Sequence, residues 1–349
     1  MTIIAASAVM SSCSADTPFE ETAARIFSVA TYNVDGLPVC IPLEEGFMSQ
    51  FLKNQDIDGV EVDDDNNMYF NTDGPGEDGS KSIGSYISGK EWDIFGLNED
   101  FNYHTQIWSE LTGYSQGTYQ GGFFVNKEMY ASLLARFMAK KPLFDIDGLE
   151  IGVKSDCCTI IGEQMIPWNS DAVYGYTSNG SDELTRKGFR YCQVLVSKGN
   201  LTVPVDFIIL HTDAGSAAED ISAREKSFSQ LLDYIKGMNS VNPLIIMGDW
   251  NSYYHRDNLR ELFIDRLNAE SGISVRDAWV EFCNRGEYPQ YGGTKGNDRL
   301  DKILFLNRAE SPIRLELVSA GNVESFTNAD GTQLSDHLPV EASFRIITE

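Results

Sequence analysis

The chain has 349 residues, of which 42% are hydrophobic and 23% are charged. This balance excludes a disordered tail and a small disulfide-stapled protein. The 27 lysines and arginines face 52 aspartates and glutamates, which gives a net charge of -25. Because nonspecific binding to a phosphate backbone needs basic side chains, extended nucleic acid is disfavoured as a partner.

The first residues differ in composition from the rest of the chain. The stretch from Met1 to Cys13 is apolar, too short to span a bilayer, and followed by a polar linker from Ser14 to Thr22. Its string VMSSC resembles a bacterial lipoprotein signal, although no basic residue precedes Arg25. We therefore predict an exported bacterial protein, either anchored to the cell envelope through a lipidated Cys13 or secreted. An apolar tail or a start further upstream is the alternative.

Apolar runs recur through the rest of the sequence. They are IFSVATYNV, WDIFGL, FRYCQVLV, VPVDFIIL, PLIIMGDW, LDKILF and VEASFRII. Several are continuously apolar, which is typical of strands buried on both faces. Helical patterns occur at Glu219 to Met238 and Lys127 to Lys140. The sequence thus predicts an α/β or α+β fold, with residues 1–24 as signal and linker and residues 25–349 as one domain.

An acidic stretch from Asp56 to Gly79 interrupts this pattern. It is rich in aspartate, asparagine and glycine, and its spacing does not fit a twelve-residue calcium loop. We interpret it as a solvated surface loop. The cysteines are irregularly spaced, and no chemistry is assigned to them.

Polar residues stand at the ends of the apolar runs. They are Asn33, Glu99, His211, Asp249, Asn251, Asp301 and the pair Asp336-His337. Loops at strand ends present side chains from a rigid scaffold, so these residues can converge although they lie far apart in sequence. Carboxylate and amide oxygens suit Mg²⁺, and histidine can accept or donate a proton near neutral pH. The set favours metal-assisted phosphoryl chemistry.

Taken singly, these residues also have ordinary structural explanations. Asn33 fits a turn at a strand end, His211 fits a buried core histidine, and Asp336 fits a helix N-cap. The functional interpretation depends on their joint occurrence.

Six strings in order carry a family resemblance. They are TYNVDG, LNED, HTDA, MGDWN, RLDKILF and SDHLPV, and they extend from Thr31 to Val340. DGLEIGVKSD and the Arg186 to Phe189 segment also fit. The set resembles the endonuclease/exonuclease/phosphatase superfamily of metal-dependent phosphohydrolases. The resemblance implies a four-layer sandwich of two packed mixed β-sheets flanked by helices, with the site at one end.

The resemblance also implies a metal and phosphate site. Glu99 would bind the principal Mg²⁺, for which Mn²⁺ is a possible substitute, and Asn33 would help to hold phosphate or a second ion. Asp336 would bind or polarise near the metal. Lys187 could neutralise the substrate phosphate. His104 follows Glu99 closely enough to reach that phosphate, with a packing or capping role as an equal alternative.

By the same resemblance, the remaining residues would perform the hydrolysis. His337 would be the general base, oriented by Asp301. Asp249 and Asn251 would position the phosphate and the attacking water. His211 would stabilise charge on the non-bridging oxygen as it develops.

Three substrate classes compete within the superfamily. HTDAG followed by a helix with Arg224 and Gln230 resembles the secreted sphingomyelinase-like branch. We therefore expect a phosphodiesterase that acts on a small or lipid-borne phosphodiester. A nuclease and an inositol-phosphate-type phosphatase are the enzymatic alternatives. A catalytically inactive binding module on the same fold is the non-enzymatic one.

Overall fold

The fold is taken from a computed structural model. It describes residues 25–36, 60–62, 68–70, 74–118, 147–168, 187–253, 258–284 and 293–348, with the backbone alone at 60–62 and 68–70. Cys13 and the helical pattern at Lys127 to Lys140 therefore lie outside the described residues. Within the described part of the chain, no helix is long and apolar enough to cross a membrane.

Strands make up most of the described structure. They are β1 (Ile26–Asn33), β2 (Val60–Val62), β3 (Met68–Phe70), β4 (Ile94–Asn98), β5 (Tyr114–Gln116), β6 (Glu150–Lys154), β7 (Cys158–Pro167), β8 (Gly188–Lys198), β9 (Leu201–His211), β10 (Leu244–Asp249), β11 (Ile273–Asp277), β12 (Asp301–Arg308), β13 (Ile313–Asn322) and β14 (Val340–Thr348). Twelve of them form two six-stranded sheets, and β2 pairs with β3 separately.

Both large sheets are mixed. The first has the strand order β13-β14-β1-β4-β6-β5, and the second has the order β11-β12-β10-β9-β8-β7. In the first sheet, β1 and β4 are parallel neighbours, and in the second sheet, β9 and β10 are parallel neighbours. These two parallel pairs bring four strand ends to the same end of the sandwich.

Helices cover the outer faces of the two sheets. They are α1 (Gly76–Lys90), α2 (His104–Ser109), α3 (Ala218–Gly237), the π-helical α4 (Arg260–Ile264), α5 (Asp265–Asn268) and α6 (Ala278–Cys283). Ile83 and Ile107 from α1 and α2 pack against the first sheet, and Phe228 and Phe263 from α3 and α4 pack against the second. The arrangement is the predicted four-layer sandwich.

Alternation along each strand separates two kinds of core. Val29 of β1 and Phe207 of β9 face the opposite sheet and join the central cluster. Tyr32 and Ile208, an odd number of positions away from them, pack under the helices instead. Successive side chains point to opposite faces of a strand, so continuous apolar runs are needed where both faces are buried.

The structure confirms the predicted α/β sandwich and the helix near Glu219 to Met238. The prediction for Asp56 to Gly79 as a loop was wrong in part, because this stretch contains β2 and β3 and the beginning of α1. Three-residue strands are too short for periodicity to separate them from turns, and the dense polar residues favoured the loop interpretation.

Candidate functional site

The site is built by the inward-facing rows of the two sheets. On β10, Ile245 and Met247 point into the central core, and Asp249 takes the next inward position. On β9, the same alternation leads to His211. Polar residues therefore replace apolar ones at the last inward position of each strand, where the sandwich ends.

Strand register places the second sheet's polar groups side by side. Asp249 of β10 pairs with His211 on the parallel strand β9 and with Asp301 on the antiparallel strand β12. All three side chains are buried. The strand register thus sets the spacing of these three residues.

Asn33 connects the two sheets across the site. Its Nδ2 donates to Glu99 Oε1 at 2.9 Å and to Asp249 Oδ2 at 3.1 Å. Its Oδ1 accepts from the backbone N of Asp35 at 3.0 Å, which fixes the orientation of the amide. One amide therefore brings two carboxylates together, from residues that are 150 positions apart in sequence.

Glu99 turns into the site through a left-handed backbone conformation. Its φ is 57°, a value that is uncommon for a residue other than glycine. Gly36 donates its N–H to Glu99 O at 3.0 Å, and a Cβ at Gly36 would lie 2.3 Å from that oxygen. The close approach needs glycine at this position, and the surrounding contacts hold the strained residue in place.

His337 and Asp301 form a buried pair. His337 Nδ1 donates to Asp301 Oδ2 at 2.7 Å, and its Nε2 lies 3.8 Å from Asp249 Oδ2. Burial opposes the charge on the ring, but the Asp301 and Asp249 carboxylates outweigh it and raise the pKa of His337 to about 10. This environment strongly favours a proton on the ring.

The loop that carries His337 is tied to β1. Ser335 Oγ donates to Asn33 O at 2.7 Å and accepts from the backbone N of His337 at 3.1 Å. The position of the imidazole is therefore linked to the asparagine that joins the carboxylates.

His211 has the opposite electrostatic environment. Its Nε2 lies 3.8 Å from Glu99 Oε1 and 3.6 Å from Asp249 Oδ2. Burial, assisted by the charge of Lys187, lowers the pKa of His211 well below its ordinary value. The two site histidines thus differ, because the carboxylates around His337 favour a proton on its ring, whereas burial of His211 disfavours one.

Asn251 and Lys187 meet at one backbone carbonyl. Asn251 Nδ2 donates to Thr212 O at 3.2 Å, and Lys187 Nζ donates to the same oxygen at 2.9 Å. The backbone N of Asn251 also donates to Asp249 Oδ1 at 2.8 Å. Both side chains are therefore anchored beside the strand ends that carry His211 and Asp249.

The donor atoms fit a divalent cation. One ligand atom each from Glu99, His211 and Asp249 lies within 4.8 Å of the others. Burial raises the pKa of Glu99, and the charge of Asp249 adds to that rise. A cation between these carboxylates would relieve their repulsion, and oxygen and imidazole ligands suit several divalent metals.

Asp336 and His104 have other partners. The Asp336 carboxylate forms an ion pair with Lys295, and its Oδ1 lies 3.6 Å from His337 Nε2. His104 Nδ1 donates to Asp100 Oδ2 at 2.6 Å, and its Nε2 lies 3.1 Å from Gln116 Oε1. Neither is among the ligand groups that converge in the described residues. His104 is therefore held by Asp100 and Gln116, and its predicted contact with the substrate phosphate stays a prediction.

The structure adds two charged residues that sequence reasoning did not single out. Asp35 follows Asn33 inside the string TYNVDG, and burial together with the charge of Glu99 raises its pKa to about 8. Lys295 lies a few residues before the RLDKILF string, where no apolar run marks it. The signal for Asp35 was its position in a family string, whereas Lys295 had no signal of that kind.

Comparison with known families decides the classification. The family model described as Endonuclease/Exonuclease/phosphatase family matches residues 30–337, most of the chain. The chain belongs to this family. The endonuclease/exonuclease/phosphatase resemblance read from the strand-end strings is therefore confirmed. Members of this family are phosphoester hydrolases that usually use divalent metals. No curated protein matches the chain at a significant level.

Solved structures agree on the fold. The chain is similar to D. rerio TDP2 in complex with a single-strand DNA product, with a TM-score of 0.57, 15% identity, and coverage of 92% of this chain and 99% of that one. It is also similar to a mannosyl-6-phosphatase from Bacteroides thetaiotaomicron, with a TM-score of 0.55, 14% identity, and coverage of 92% and 99%. SmcL gives a TM-score of 0.52 at 17% identity, with coverage of 92% and 99%.

Proposed function

We propose that this chain is a divalent-metal-dependent phosphodiesterase of sphingomyelinase-like type, which hydrolyses a small or lipid-borne phosphodiester by attack of water on phosphorus. The observation that carries the proposal is the hydrogen bonding of Asn33 to Glu99 and Asp249, beside the His337–Asp301 pair. A metal-binding group and a proton-transfer group thus lie within one buried cluster.

Glu99 and Asp249 would hold the metal ion, and Asn33, whose Nδ2 donates to both carboxylates, would orient them. Mg²⁺ fits the carboxylate oxygens, and Mn²⁺ is a possible substitute. When bound, the ion supplies positive charge that stabilises the phosphoryl oxygens. Asp336, which pairs with Lys295 at the rim, would place a negative charge near the metal and polarise the groups bound there.

His337 would act as the general base. Asp301 holds Nδ1–H, which fixes the tautomer and leaves Nε2 to accept the proton of the attacking water. A cation held beside Asp249 would offset part of the negative charge that raises the pKa of His337, so that Nε2 could lose its proton and act as a base. The Asp301 carboxylate would then stabilise the imidazolium that forms. Asp249 and Asn251 would orient the water and the phosphate.

His211 and Lys187 would act on the phosphate without transferring a proton. A neutral imidazole donates a hydrogen bond to a non-bridging oxygen as charge develops there. The Lys187 ammonium, anchored on Thr212 O at 2.9 Å, would offset one phosphate charge. His104, bonded to Asp100, is left out of this machinery.

Net charge supports the substrate class. A charge of -25 repels a polyanion, whereas a head group such as phosphocholine is close to neutral overall. Export and anchoring through Cys13 belong to the same proposal, because they would hold the enzyme outside the cell, where lipid-borne substrates are accessible.

A substrate panel tests the proposal. The purified protein is assayed with Mg²⁺ against bis-p-nitrophenyl phosphate, p-nitrophenyl phosphate, sphingomyelin vesicles and plasmid DNA, with an EDTA arm and the His337→Ala variant as controls. We expect phosphodiester hydrolysis that EDTA abolishes and that the substitution lowers by about a hundredfold or more. A clear preference for the phosphomonoester or for DNA would replace this substrate class. No hydrolysis of any substrate would favour a binding module.

A further inference from the structure

Lys295 lies on a short turn at the mouth of the site. The backbone N–H groups of Thr294 and Lys295 both donate to Asp298 O, at 2.8 and 3.0 Å. Thr294 O accepts from the backbone N of Leu338 at 2.7 Å, directly after His337. The turn is therefore built into the same framework as the His337 loop.

The Lys295 ammonium contacts a residue that itself lies next to His337, the proposed general base. It pairs with Asp336, whose other carboxylate oxygen lies 3.6 Å from His337 Nε2. Burial opposes the charge of Lys295, but the bond to Asp336 and the charge of Glu99 outweigh that effect, and the pKa of Lys295 is raised. The lysine therefore stays charged beside the proposed metal and proton-transfer groups.

Strand order places Lys295 across the site from Lys187. In the second sheet, β10 and β9 lie between β12 and β8. Lys295 precedes β12, and Lys187 precedes β8, so the two lysines stand on opposite sides of Asp249 and His211. A phosphate held at these two residues would have one ammonium group on each side.

The ion pair of Lys295 with Asp336 is open to exchange. Both side chains are 46% exposed, and ion pairs with this exposure contribute little to stability. Lys187, by contrast, is buried and bonded to Thr212 O. Lys295 is therefore the more adjustable of the two ammonium groups.

We propose that Lys295 leaves Asp336 to bind a non-bridging oxygen of the substrate phosphate. The Asp336 carboxylate that it leaves would then select the charge of the group that stays esterified to the phosphate. The inference rests on the proposed phosphodiesterase function. Once Lys295 turns to the phosphate, the Asp336 carboxylate loses its cation at the rim of the site. It would then act on the charge of the group that stays esterified to the phosphate. A quaternary ammonium would be attracted there, and an anionic group would be repelled.

Two substrates with the same leaving group test this inference. Bis-p-nitrophenyl phosphate carries no cation, and p-nitrophenylphosphorylcholine carries one. The variants are Lys295→Met and Lys295→Arg. The matched control is Lys236→Met, because Lys236 pairs with Glu270 at 2.5 Å with similar exposures of 42% and 41%. Lys236 is near the end of α3, at the far end of β12 from the site, where Arg308 donates to Ile235 O.

We expect Lys295→Met to lower kcat/KM for bis-p-nitrophenyl phosphate by about tenfold, mainly through KM. The choline ester should lose about threefold or less, because the released Asp336 carboxylate still attracts its ammonium. Lys295→Arg should restore both values, and Lys236→Met should leave both unchanged. Equal losses for the two substrates, or no loss, would overturn the inference.

A binding measurement separates failure of this inference from failure of the proposed function. Inorganic phosphate is titrated calorimetrically into the wild-type protein, Lys295→Met and Lys236→Met. We expect about tenfold weaker binding in Lys295→Met alone. If neither substrate is hydrolysed, the proposed function fails, and the phosphate titration still decides the role of Lys295. Equal phosphate affinity in all three proteins overturns that role.

Discussion

A buried carboxyl group next to the site should make stability fall as pH rises. Glu150 begins β6 and is fully buried. Its Oε1 accepts from the backbone N of Ile151 at 2.9 Å, while Oε2 has no hydrogen-bond partner in the described residues. Burial, with the nearby charge of Asp100, raises the pKa of Glu150 from 4.5 to about 8.

The sign follows from which state holds the proton. Between pH 4.5 and about 8, Glu150 is ionised in the unfolded chain but protonated in the folded one. The folded state then binds more protons, so the free energy of unfolding falls as pH rises, by up to about 1.4 kcal/mol per pH unit. Over the whole range this amounts to at most about 5 kcal/mol. Below pH 4.5 the group is neutral in both states and has no effect.

Urea unfolding at pH 5, 6, 7 and 8 measures this effect. The proteins are wild type, Glu150→Gln, and Glu316→Gln as a control that removes the same charge at an exposed position. Glutamine cannot ionise, so wild type and Glu150→Gln should agree near pH 5 and diverge above it, with wild type less stable. The control should follow wild type. Parallel pH curves for wild type and Glu150→Gln would refute the reasoning.

The remaining predictions concern catalysis. Glu99→Gln removes a metal-ligand charge while nearly preserving shape, so it should need about tenfold more Mg²⁺ for half-maximal activity; full activity at limiting Mg²⁺ would contradict the assignment. His337→Ala should lower kcat by about a hundredfold or more with little change in KM. Asp301→Asn should also lower kcat. The double variant His337→Ala/Asp301→Asn should lose much less kcat than the product of the two single losses. Multiplicative losses would show that Asp301 does not orient His337. Duplex DNA should give a lower kcat/KM than a small phosphodiester at about 0.01 M salt, where the Debye length is about 30 Å and repulsion acts most strongly; the reverse order would indicate a basic groove that outweighs the net charge.

Much of the fold could be predicted from the sequence because it depends on local patterns. Continuous apolar runs predicted strands buried on both faces, and the same runs ended in Asn33, His211 and Asp249. The alternation of side chains along a strand is local, so it predicts that these residues take inward positions at the strand ends. The six family strings, which occur in the family's order, extended these local patterns to the prediction of a four-layer sandwich. The sequence by itself thus determined the layers and most of the candidate site.

Only the tertiary structure decided which groups touch. The contact of Asn33 with Asp249 spans 216 residues and depends on how two sheets pack, which no local pattern encodes. The same holds for the turn that brings Lys295 to Asp336 and for the hydrogen bond that joins His104 to Asp100. A residue type predicts what a side chain can do, whereas its pKa and its partners depend on burial and on neighbours supplied by distant parts of the chain.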